Sequence, residues 1–139
     1  MKIYFSHPTF TYNTKTERAC KKIINKGLKP EGIIDPSNYG LTADLKELIS
    51  KTDGVVGIAI SGKYTFLVWN EMEYGEENDK DLYTLFVKDK NDIGPLVEGM
   101  PEDLKKLSRS ESKKFSTEIT KGYRDSFFSI FVGNWGRRF

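Results

Sequence analysis

The run from Gly54 to Ile60 constrains the fold more than any other part of this chain. Val55, Val56, Ile58, Ala59 and Ile60 follow one another with only Gly57 between them, bounded by Thr52-Asp53 and by Ser61-Gly62. A half-buried strand alternates apolar with polar residues, so a short unbroken run of this kind reads as a strand covered on both faces. Such a strand needs helices above and below it, and the flanking sequence provides them. Ile3 to Phe5 reads as a first strand, stopped at Ser6-His7-Pro8. A helix follows, capped by Thr14 or Thr16, with Ala19, Ile23, Ile24 and Leu28 at helical spacing and Gly27 marking its end. Gly32 to Asp35 is a second strand, and Thr42 caps a helix carrying Leu45, Leu48 and Ile49. Beyond the central run, Ser61 to Thr65 reads as a strand-to-helix loop, the segment around Glu71 as a third helix, and Asp81 to Val87 as the next strand.

Further on, Lys88 to Pro101 reads as a turn-rich excursion, Glu102 to Lys121 as a polar helical region, and Phe127 to Val132 as a last strand. Helices alternating with short apolar strands predict an α/β protein. The expected form is a flavodoxin-like three-layer sandwich with a mostly parallel, roughly five-stranded sheet, and 139 residues suit one such domain over 1–139.

Composition narrows the class. With 37% hydrophobic and 30% charged residues and no apolar run near the ~20 needed to span a bilayer, the sequence reads as globular, with no membrane partner. The start, Met1 to Pro8, lacks a signal-peptide core, and a lone Cys20 has no partner for an internal disulfide, so a cytoplasmic location is expected. Leu104 to Phe139 carries nine Lys/Arg against three Asp/Glu, which raises nucleic acid as a partner. The aromatics there are concentrated in the apolar Phe127–Val132 run, which speaks against a base-stacking surface and for a solvated basic helix.

Ligands of open parallel sheets bind outside the carboxyl ends of the strands. Tyr4 to Pro8, Asp35, Ser61 to Thr65 and the helix bearing Glu71 therefore converge. At about 100° per residue Glu71 lies within about 60° of Val68 and Gly75, on the apolar stripe, whereas Glu73 falls on the far side. A carboxylate there loses hydration and becomes a poised nucleophile or base; the plainer alternative is a helix-edge glutamate reaching water. No metal site is expected from a single histidine, and neither G-x-G-x-x-G nor G-x-x-x-x-G-K-[ST] occurs, so no cofactor is implied.

The first 90 or so residues resemble the nucleoside 2-deoxyribosyltransferases and related nucleotide N-hydrolases. Ile3-Tyr4-Phe5 matches that family's opening strand, Ala43-Asp44-Leu45-Lys46 its N-D-I-K segment, Thr52-Asp53-Gly54-Val55-Val56 its sD-x-v-v strand, and Glu71-Met72-Glu73-Tyr74-Gly75 its E-[LI]-G-Y-A segment. The resemblance implies Glu71 as nucleophile, Tyr4 beside it and Asp44 as an active-site acid, with Asp53 near the substrate. It also implies a nucleoside or nucleotide substrate and a homo-oligomer, for which Trp135 and Phe139 are candidate interface residues. The chain departs from the family at Thr65, where an aspartate that reads the base is common, and at Glu73, which replaces a glycine. Ser6, His7, Ser61 and Lys63 are candidates for holding a sugar hydroxyl or a 5′-phosphate. Two alternatives stand beside the enzyme: a non-catalytic nucleotide-binding module of the same fold, and an interaction protein using the basic C-terminal third.

Overall fold

The computed structural model describes residues 1–40, 43–89 and 91–122. It is an α/β fold built on one mixed sheet. In chain order the elements are β1 (Lys2–Ser6), α1 (Lys15–Leu28), β2 (Gly32–Ile34), α2 (Leu45–Ser50), β3 (Gly54–Ile60), β4 (Lys63–Tyr64), α3 (Phe66–Glu77), β5 (Asp81–Asp89), β6 (Asp92–Glu98), β7 (Lys105–Lys106) and α4 (Arg109–Gly122). Short 3-10 turns at Thr9–Thr11 and Pro36–Asn38 follow β1 and β2.

The apolar run at 54–60 is the middle of the sheet, with all seven residues of β3 buried. It pairs in parallel with β1 on one side and β5 on the other, and β2 pairs in parallel with β1. Alternation along β1 divides the core. Ile3 and Phe5 point to one face, where Cys20 and Ile24 of α1 pack with Phe115 and Ile119 of α4. Tyr4 points to the other, among Leu48 and Ile49 of α2 and Val68 and Met72 of α3. Helices thus cover both faces, as a doubly buried β3 demands.

Three departures from expectation make this, among the described residues, a mixed sheet of seven strands in place of a mostly parallel, five-stranded one. Within Lys88 to Pro101 lies β6, antiparallel to β5. Gly94 and Pro95 read as breakers in the sequence, but an edge strand tolerates a proline that donates no hydrogen bond, and Ile93 and Leu96 still pack on the α1 face. Ser61 and Gly62, both at positive φ (51° and 75°), form a two-residue hairpin turn that returns the chain as β4 antiparallel to β3, in place of a strand-to-helix loop. Finally, β7 adds in parallel to β4. The expected strand at 127–132, with Trp135 and Phe139, lies outside the described residues.

Helix limits follow local chemistry. Thr14 caps α1, its hydroxyl accepting the Glu17 N–H at 3.1 Å. The helix runs past Gly27 and ends with Lys29 at φ 48°. Asp44 caps α2, accepting the Glu47 N–H at 3.2 Å, and Thr42, the expected cap, lies outside the described residues. Among the described residues no helix is long and apolar enough to cross a membrane.

Candidate active site

The position of α3 against the sheet is set by two glycines. A Cβ on Gly57 of β3 would stand 2.8 Å from Met72 Sδ and 3.0 Å from Val68 Cγ1, and one on Gly75 of α3 would stand 2.9 Å from Val55 Cγ2. Without side chains at these points the helix lies close on β3, and the residue beside Met72, Glu71, comes over the end of β1. Tyr4 and Ser6, two residues apart on β1, share the face that looks at it.

Glu71 is 5% exposed, and both its oxygens are held. The Tyr4 phenol donates to Oε2 at 2.6 Å and the Ser6 hydroxyl donates to Oε1 at 2.6 Å. Burial raises the Glu71 pKa to about 7, against the opposing effect of the two donors. Burial, reinforced by the adjoining Glu71 carboxylate, raises the Tyr4 phenol far above its ordinary value, so it remains a donor. The Tyr12 phenol is raised for the same reasons, burial first and Glu71 next. This half-buried tyrosine lies with its ring centroid 4.8 Å from that of His7.

A cavity of about 300 Å³ opens between α2 and α3, lined by Glu71, Asn70, Tyr74 and Leu67 on one side and Asp44 and Ile49 on the other. Lys46 lies 5.4 Å over the Tyr74 ring at its margin. Asp44 thus both caps α2 and faces the cavity. A second cavity, of about 340 Å³, shares Leu67 and is lined by Thr65, Ser112, Lys113 and Ser116 at the start of α3. The Thr65 hydroxyl is buried there without a hydrogen-bond partner, and Ser112 Oγ accepts the Phe66 N–H at 2.7 Å.

Of the residues singled out from sequence, Tyr4, Ser6 and Glu71 meet directly, and Asp44 shares their cavity. The others lie elsewhere. Asp53 is exposed at the amino end of β3, accepting the Lys2 N–H at 2.7 Å, while Ser6 and Glu71 lie toward the opposite end of the parallel strands. Ser61 is an exposed turn residue, and Lys63 rests 5.2 Å over the Phe115 ring on the α4 side. His7 is fully buried in an adjoining polar cluster. Its Nδ1 lies 2.6 Å from Thr11 Oγ1 and its Nε2 2.8 Å from Asp35 Oδ1 and 3.5 Å from Glu17 Oε1. Lys21 Nζ pairs with Asp35 Oδ2 at 2.5 Å. The His7 and Lys21 partners hold the Asp35 carboxyl far below its ordinary value despite burial, whereas burial, with Asp35 alongside, raises that of Glu17. His7, Glu17 and Asp35 each offer one donor atom that could hold a metal ion, and these atoms lie within 4.8 Å of one another.

Sequence reasoning missed Tyr12, Glu17 and Lys21. Thr14-x-x-Glu17 has the spacing of a capping box, which accounts for Glu17 without any site. Comparisons with protein-family models, with curated proteins and with solved structures find no match to this chain.

Proposed function

We propose that this protein cleaves or transfers the N-glycosidic bond of a nucleoside or nucleotide, with Glu71 as the nucleophile. The observation that carries the reading is the buried Glu71 carboxylate, gripped on both oxygens by Tyr4 and Ser6 at 2.6 Å and bordering a cavity it shares with Asp44. Departure of a nucleobase leaves positive charge at the anomeric carbon, and an ionised carboxylate on the opposite face stabilises or captures it. Tyr4 and Ser6 orient the carboxylate and favour its charged form, offsetting part of the burial cost. Asp44 is the group facing Glu71 across the cavity, suited to bind a sugar hydroxyl or to protonate the departing base. The resemblance to nucleoside 2-deoxyribosyltransferases supports the same assignment, and the parallel neighbours β2, β1, β3 and β5 are compatible with it.

For a 5′-phosphate the second cavity is the receptive place: the unpartnered Thr65 hydroxyl, the Lys113 ammonium and the amino end of α3 all favour an anion. Incubation with a panel of nucleosides and 5′-monophosphates, with and without an acceptor base, tests the reading by chromatography of released base. Release that vanishes in Glu71→Gln supports it, and base exchange would mark a transferase. Binding without turnover would favour the non-catalytic module.

A further inference from the structure

In the cluster beside the candidate active site one buried carboxylate oxygen, Glu17 Oε1, is left without a hydrogen bond. Thr11 Oγ1 donates its only proton to Pro8 O at 2.6 Å, so His7 Nδ1 must donate to Thr11. The other ring nitrogen, Nε2, then looks at two carboxylate oxygens, Asp35 Oδ1 at 2.8 Å and Glu17 Oε1 at 3.5 Å. A single proton on Nε2 serves Asp35 and leaves Glu17 Oε1, a buried atom of a residue only 4% exposed, with no hydrogen bond. One cation in place of that proton would serve all three atoms.

We propose that His7, Glu17 and Asp35 bind a single divalent first-row transition-metal ion. Donors about 2.0–2.2 Å from such an ion stand about 3.0–3.5 Å apart at right-angled to tetrahedral openings, close to the 2.8 and 3.5 Å separations seen. One imidazole with two carboxylates suits Zn²⁺, Mn²⁺ or Co²⁺ better than Ca²⁺ or Mg²⁺, which favour oxygen alone. Second partners orient the donors already: Thr11 on His7 Nδ1, Lys21 on Asp35 Oδ2, and the Asn13 N–H on Glu17 Oε2 at 3.2 Å. Binding releases the Nε2 proton to solvent. The ion would join the segment after β1, the first turn of α1 and the end of β2, fixing His7 and hence its neighbour Ser6.

The test uses untagged full-length protein, stripped with chelator, mixed with ZnCl₂, MnCl₂ or CoCl₂ and gel-filtered. Metal content is read by mass spectrometry and Co²⁺ coordination by visible absorption. His7 and Cys20 are the only histidine and cysteine in the chain, so few other donors compete. The expected result is one ion per chain, retention falling at least tenfold in His7→Gln and Glu17→Gln and unchanged in Cys20→Ala. Should His7→Gln fail to fold, Glu17→Gln decides, because it removes charge without changing shape. No retained ion, or retention indifferent to Glu17→Gln, overturns the proposal and leaves a cluster bridged by protons alone.

Discussion

A carboxylate buried among apolar side chains is held at a cost, and at Glu71 that cost has a sign that can be worked out. Its folded pKa of about 7 lies above the ordinary 4.5, so between these values the folded chain binds a proton that the unfolded chain has lost. Stability therefore falls as pH rises from about 4.5 to about 7, by about 3 kcal/mol from this group. Glu71→Gln removes the ionisation. Its melting temperature should exceed that of the unaltered protein by several degrees at pH 8 and by little at pH 5, as calorimetry can check; equal differences at both pH values would refute the assignment. Tyr4 acts on the same group. Because its hydrogen bond favours the charged form, Tyr4→Phe should push the Glu71 pKa higher and move the rising limb of the pH–rate profile to higher pH. A loss in kcat/KM of about 10–100-fold is expected, the value of one hydrogen bond to a charged group. A profile that keeps its midpoint would show that the phenol is only a core side chain.

At the scale of elements, the close approach of α3 to β3 is what delivers Glu71. Gly57→Ala puts a methyl group against Met72 and Val68, and overpacking of this kind costs about 1–3 kcal/mol. The expected result is a lower melting temperature together with a lower kcat; a stability loss with full activity would show that the helix position is not critical. The start of α3 carries a separate expectation. Lys113→Ala should raise KM for a 5′-monophosphate and leave the matching nucleoside unaffected, whereas an equal effect on both would remove the phosphate from that cavity. These junctions also show what the sequence could and could not reveal. The seven-residue apolar run identified β3, and its doubly buried character called for helices on both faces. By contrast, β6 was hidden because Gly94 and Pro95 punctuate it, and β4 because a primed hairpin turn at Ser61-Gly62 has the same composition as any loop.

Across the whole molecule, parallel strands give the sheet two different ends, and the candidate residues separate accordingly. Tyr4, Ser6 and Glu71 were legible because periodicity placed them on facing surfaces and the strand ends marked where they meet. Asp53 was not, since its place in a motif says nothing about which end of β3 it occupies. Asp53→Ala should leave turnover unchanged while loosening the Lys2 contact, and a large loss of kcat would mean that the opposite end of the sheet takes part in the reaction. The surroundings of His7 were hidden for a different reason: its partners Glu17 and Asp35 come from two other elements, and only the assembled fold brings them within reach. The most direct test of the central claim is the initial rate of base release from the best nucleoside or nucleotide, measured from pH 5 to 9 for the unaltered protein and Glu71→Gln. With Glu71 as the nucleophile the rate climbs through about pH 7 to a plateau and is abolished in the variant. Release that is flat with pH, or that survives in Glu71→Gln, would contradict it.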